Sequence, residues 1–249
     1  QSLQNLTSGT VNTAVGFNAL NSATTGHTNV GVGYKAGFAT TTGNNNVAIG
    51  PHSFVDNTSG SQNTVVGSNA LGDNTTASYN VAIGSDTLRL STTGANNTAV
   101  GTNASKNSTT GAGNTAVGMQ ALFSNQTSID NVAVGHTALY NSTGGNNTAV
   151  GKGAMYANTS GVYNTAVGKQ ALASNTTANY NQAFGYRALY LNTTGGSNVA
   201  IGALSQQNNV DGTANIALGY RSLFTNTTGD YNIAVGQEAL ENNTGNNNT

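Results

Sequence analysis

The sequence has no cysteine, no tryptophan and a single proline, and only seven basic and eight acidic residues among 249. Without cysteine there are no disulfides, thiol nucleophiles or thiolate metal ligands. The basic residues are scattered along a chain of net charge −1, so the sequence offers no electrostatic footprint for nucleic acid or anionic lipid. No apolar run approaches the roughly 18 residues that cross a bilayer, and no membrane contact is expected within the chain. Gln1 to Leu6 form neither a signal sequence nor a start methionine, which fits an internal segment.

What is present is small and uncharged. Hydrophobic residues make up 36% of the chain, largely Ala and Val, while Gly, Asn, Thr and Ser replace the missing charges. Order therefore has to be sought in pattern, and the pattern is a repeat. A glycine recurs at Gly16, Gly33, Gly50, Gly67, Gly84, Gly101, Gly118, Gly135, Gly151, Gly168, Gly185, Gly202, Gly219 and Gly236. Every step is 17 residues except the 16 between Gly135 and Gly151, where the turn Tyr140 to Gly145 is one residue shorter than its equivalents.

Four residues before each glycine stands an asparagine: Asn12, Asn29, Asn46, Asn63, Asn80, Asn97, Asn114, Asn131, Asn147, Asn164, Asn181, Asn198, Asn215 and Asn232. The residue just before the glycine is bulky and apolar, as in Val15, Val32, Ile49 and Phe184, and three before it stands Thr, Val or Ile in every coil but that of Gln182. That is a strand signature. After the glycine comes a common Ala-Leu pair, such as Ala19-Leu20 and Ala138-Leu139, then a Thr-Thr-Gly turn in which Gly26, Gly43, Gly60 and Gly94 suit a positive φ.

Each coil is expected to run strand, glycine corner, short strand, glycine turn. Pro51 directly follows a corner glycine, where no ladder donor is lost, and no stretch keeps a helical apolar period. Residues 1–249 thus predict one continuous all-β array, a parallel β-solenoid of about fourteen 17-residue coils, each advancing about 4.8 Å. An asparagine repeated at one corner can bond its amide to those above and below, or serve a left-handed turn; the role is structural in both cases. In Asn-Thr-Ala-Val-Gly the Ala points to one face, the Thr and Val to the other. Ala and Gly can fill a thin interior, so the Val/Ile face, and with it the Leu and aromatic run after the corner, needs a second cover. Association of several chains supplies one, and a wider interior within one chain is the alternative.

These columns, Asn-x-Ala-Val/Ile-Gly followed by x-x-Ala-Leu and a glycine turn, resemble the head repeats of trimeric autotransporter adhesins of the YadA type. Similar repeats occur in phage and virus tail fibres. The resemblance covers essentially the whole chain and implies a left-handed parallel β-roll, a rod of three identical chains, and an adhesive or spacer role on a cell or virion surface. This sequence departs from the family in a longer coil and an Asn/Thr-rich turn, and it shows no neck, stalk or membrane anchor.

Catalytic, metal and cofactor residues are all expected to be absent. His27, His52 and His136 occupy different columns, and the acidic residues are dispersed; Asp56 and Asp73, which share a column in adjacent coils, are expected to be a solvated turn rather than a calcium site. Ser, His and Asp never converge in adjacent coils, and the glycines are corners rather than a phosphate loop. The tyrosines fall into three columns: Tyr34, Tyr186 and Tyr220; Tyr140, Tyr156 and Tyr190; Tyr79, Tyr163, Tyr180 and Tyr231. They could stack on sugars or pack between coils. Sequons at Asn57, Asn74, Asn175 and Asn226 would carry a row of glycans if the source glycosylates asparagine. The expected function is an extracellular fibre or adhesin shaft, a homotrimer with a possible host glycan or protein receptor. Ice binding and glycan binding are the alternatives.

Overall fold

The structure, a computed structural model, describes all residues from Gln1 to Thr249. The chain is an all-β parallel β-solenoid with no helix, and it divides into two compact units, Gln1–Ile129 and Asp130–Thr249. The first carries β1 (Thr13–Val15), β2 (Val30–Val32), β3 (Val47–Ile49), β4 (Thr64–Val66), β5 (Val81–Ile83), β6 (Thr98–Val100) and β7 (Thr115–Val117). The second carries β8 (Val132–Val134), β9 (Thr148–Val150), β10 (Thr165–Val167), β11 (Gln182–Phe184), β12 (Val199–Ile201), β13 (Ile216–Leu218) and β14 (Ile233–Val235).

Within each unit every strand pairs in parallel with the next along the chain, column on column. Thr13 lies against Val30 and Ala14 against Gly31 in the first unit, and Thr165 against Gln182 and Ala166 against Ala183 in the second. The central residue of each interior strand, Ala except for Gly31 and Val65, is buried, and the residues flanking it are half-buried or exposed. Alternation across the pleat thus sends Ala inward and Val or Ile outward.

The expected short strand after the glycine corner does not form. The second and fourth residues after each corner take positive φ instead, as at Asn69 (53°) and Leu71 (47°) or Gln170 (58°) and Leu172 (52°), and a strand requires negative φ throughout. The Ala-Leu pair explains why. Ala70 and Leu71 are both 0% exposed, whereas neighbours on a strand point to opposite faces. A left-handed Leu turns both side chains into the interior. Each such residue costs roughly 1–2 kcal/mol, and burying a leucine returns about 1.5–3 kcal/mol. Inter-coil bonding survives: Asn69 N–H donates back to the Pro51 carbonyl (3.1 Å) and Leu71 N–H forward to that of Thr87 (2.9 Å). The leucines are therefore core of the single chain and are not available for a surface between chains.

One further expectation changes, while the shortened turn falls where the spacing places it. Gly26, Gly43, Gly60 and Gly94 do not have positive φ; a Cβ on Gly26 would come within 2.5 Å of the Gly43 carbonyl oxygen in the next coil, so glycine serves close stacking there. Ala77 and Ala178 occupy the same column, so the restriction can be relieved locally. In the 16-residue coil the missing residue falls between Thr143 and Gly144. Thr143 N–H still reaches its column partner, the Thr159 carbonyl, and Gly144 faces Gly161 as other turn glycines face theirs.

Two positions of the leucine column, Ser105 and Gln206, are polar and buried, and Gln206 is the larger. Gln206 stands where Leu189 and Leu223 stand in the adjacent coils and is fully buried. Its Nε2 donates to the Val199 carbonyl at 2.8 Å, but its Oε1 has no partner. Gln206→Leu is expected to raise the unfolding free energy by about 1–3 kcal/mol, the usual cost of a buried unsatisfied polar atom. Chemical denaturation of the two proteins checks this, and an unchanged midpoint would mean that the oxygen is not a burden.

Candidate functional site

The asparagines before the strands are buried from Asn29 to Asn232. Their bonding is chiefly side chain to main chain. Asn12 Oδ1 accepts the N–H of Asn29 (2.9 Å), and Asn29 Oδ1 accepts that of Asn46 (3.0 Å). Nδ2 donates to a turn carbonyl of the following coil, as from Asn29 to Gly43 (2.8 Å) and from Asn181 to Gly195 (2.9 Å). Amide-to-amide bonds are added in some coils, for example Asn46 Nδ2 to Asn29 Oδ1 (3.0 Å). Each asparagine thus ties the strand of one coil to the turn of the next. The residue just before it, not the asparagine, has the positive φ, as at Thr28 (58°) and Tyr163 (58°).

A second polar column was hidden in the turn. Asn57, Asn74, Asn158, Asn175, Asn192, Asn209 and Asn226 are all 0% exposed. Asn175 Nδ2 donates to Asn158 Oδ1 (2.7 Å) and to the Ala178 carbonyl (3.1 Å); Asn209 continues the row to Asn192 (2.8 Å). This is the amide ladder expected of the other column. Because Ser or Thr stands two residues after every one of them but Asn209, the sequence presents them as glycan acceptors, but a row of glycans at Asn57, Asn74, Asn175 and Asn226 is incompatible with this fold. The nitrogen that would be glycosylated is enclosed and already donating. The signal was available in the small polar residues that fill this column elsewhere, Thr40, Ser91 and Ser108.

Beside it runs a regular threonine row. Thr41 Oγ1 donates to the Thr58 carbonyl (3.0 Å), Thr58 to that of Thr75 (2.9 Å), and Thr159 to that of Thr176 (2.9 Å). Its hydroxyl protons stitch coil to coil and are not offered to water, so this row does not present the free hydroxyl array that an ice-ordering face requires.

The outer surface is apolar and aromatic. Val15, Ile49, Ile83, Ile201, Leu218 and Val235 are 38–66% exposed. Neighbouring rings stack from coil to coil: Phe17 on Tyr34 (5.9 Å), Tyr140 on Tyr156 (5.2 Å) and Tyr163 on Tyr180 (5.4 Å).

His27 is hydrogen-bonded through Nδ1 to the Thr10 N–H (3.0 Å), and His52 packs edge-on against Tyr34 (5.0 Å). No group of three or more His, Asp or Glu forms anywhere. Burial, chiefly, holds the Asp73 carboxyl above its ordinary pKa; Arg89 opposes this and Asp56 adds to it. Asp73 and Asp56 remain a pair without a third ligand.

The basic residues are less scattered than the sequence suggests. Lys152, Lys169 and Arg187 come together on one cleft of about 520 Å³ in the second unit, with Tyr156, Tyr190 and Gln170. Sequence spacing missed it because they sit one or two residues past successive corners, in columns that touch only once the coils stack. The chain matches no protein-family model, and no curated protein sequence matches it.

Proposed function

We propose that this chain is a structural fibre or adhesin shaft on a cell or virion surface, acting outside the cell as a homotrimer and not as an enzyme. The observation that carries the reading is the outward row of strand residues. In each unit it repeats once per coil with apolar side chains that are half-buried or exposed, Ile49 at 38% and Ile201 at 41% exposure. Contiguous exposed apolar surface of this kind marks an interaction site. A second copy, with the same residues at the same spacing, is the partner whose rows match coil for coil, and closed symmetry is the usual result for identical chains. Rigidity comes from the two asparagine columns and the threonine row, which bond each coil to the next, and a glycan or protein receptor would be met by exposed turns and tyrosines.

Light scattering of the purified chain is expected to give three times the 25.0 kDa chain mass. Paired substitution Val100→Asp and Val117→Asp, on half-buried outward positions of β6 and β7, is expected to give monomers with unchanged β-structure by circular dichroism. A native mass equal to one chain for the unmodified protein would refute the trimer.

A further inference from the structure

We propose that the cleft around Lys152, Lys169 and Arg187 binds a carboxylate-bearing pyranose, the acidic unit of a uronate- or sialate-type glycan. Its shape has an identifiable cause. The column after the Ala-Leu pair reads Tyr140, Tyr156, Ala173, Tyr190, and where rings are consecutive they stack, Tyr140 on Tyr156 at 5.2 Å. Ala173 omits one ring from that stack. Tyr156 and Tyr190 are then two coils apart, about 9.5 Å, and both line the space between. Gly153, two residues past its corner where other coils carry Gln170 or Arg187, leaves further room: a Cβ built on it meets nothing closer than 3.8 Å. The resulting volume is in the range of small-ligand sites.

The charges around this gap have no counter-ion. No Asp or Glu occurs between Asp130 and Asp211, and the chain's two salt bridges, Arg89 to Asp86 and Arg221 to Glu241, lie elsewhere. Arg187 is held for recognition: its Nε donates to Gln170 Oε1 at 3.0 Å, and its guanidinium lies 4.8 Å from the Tyr190 ring centre and 5.4 Å from that of Tyr186. This leaves the two Nη groups as donors, the arrangement that suits a carboxylate. Lys169 lies 5.9 Å from the Tyr186 ring centre, and the lysine side chains add charge at the rim. Tyrosines either side of a gap one ring deep, beside cations without an acidic partner, suit a pyranose with an acid group. A bare anion would use the cations but not the missing ring. All of these residues belong to one chain and one unit, so the proposal does not depend on trimer formation.

The test is calorimetric titration of the full chain at low salt with trigalacturonate and with sialyllactose; which of the two saturates identifies the source of the acid. Saturable binding of at least one is expected, and its methyl ester should bind at least tenfold more weakly. Arg187→Gln with Lys169→Gln should weaken binding by a similar factor. Ala173→Tyr, which restores the ring while altering no charge, should abolish it, and the melting temperatures of both variants should stay near the parent's. Three results would overturn the proposal: no saturation by either acid, undiminished binding by Ala173→Tyr, or binding of inorganic phosphate as tight as that of the sugar, which would leave only a cationic patch. None of them alters the native mass on which the trimer is judged.

Discussion

Gly101→Ala is expected to lower the unfolding free energy by about 2–6 kcal/mol, from about 1–3 for a backbone conformation that side chains avoid and about 1–3 for overlap. Gly101 has φ of +127°, and a Cβ there would come within 2.8 Å of both the carbonyl carbon and oxygen of Gly118 in the next coil. Neither atom can withdraw, since both are main chain and the neighbouring corner is stacked in the same way. In a structure stabilised by nearest-neighbour coupling between repeats, such a fault can also divide the unfolding transition. Gly72→Ala, at a glycine without positive φ where a Cβ would meet nothing closer than 3.4 Å, is the control. Chemical denaturation should show the corner variant much the less stable. Equal losses would mean that the corner glycine is not conformationally required.

Asn164→Ala should also be damaging. It would take the acceptor from the N–H of Asn181 (2.9 Å) and the donors from the Ala178 carbonyl (2.8 Å) and Asn147 Oδ1 (3.2 Å). Asn147 Oδ1 keeps the Asn164 main-chain N–H and the Ala178 carbonyl keeps Asn175 Nδ2, so one buried group, the Asn181 N–H, loses its only partner. The expected loss is about 1–3 kcal/mol, the cost of one buried group left unpaired. Hydrogen exchange adds a local reading: the Asn181 amide should lose protection well beyond amides in distant coils. Retained protection at Asn181 would show that water replaces the side chain, and the column would then be a turn preference rather than a tie between coils.

Much of this architecture is visible in the spacing of residues. The corner glycines and the asparagine four places earlier mark the register of every coil, and alternation within Thr-Ala-Val sends Ala inward. The break in period at Gly151 locates the shortened turn. Other features were illegible for physical reasons. Ala-Leu has the composition of a strand, and only the closed coil, whose interior must take both side chains, forces leucine into the left-handed region. The turn asparagines resemble glycan acceptors because a sequon specifies chemistry but not burial. Tyr140 and Tyr156 can be aligned in one column by counting, but their stacking depends on the distance between coils.

What the sequence by itself determined is the repeat and everything that follows from translational symmetry: one 17-residue coil, parallel stacking, an alanine interior and small-residue corners. Only the tertiary structure decided what lies across coils at positions where the repeat is broken. Ala173 and Gly153 are small residues in columns that vary from coil to coil, and Lys152, Lys169 and Arg187 stand 17 and 18 residues apart. Stacking converts those separations into a few ångströms, so a cleft and a cluster of charge arise from residues that, along the chain, have nothing to do with one another.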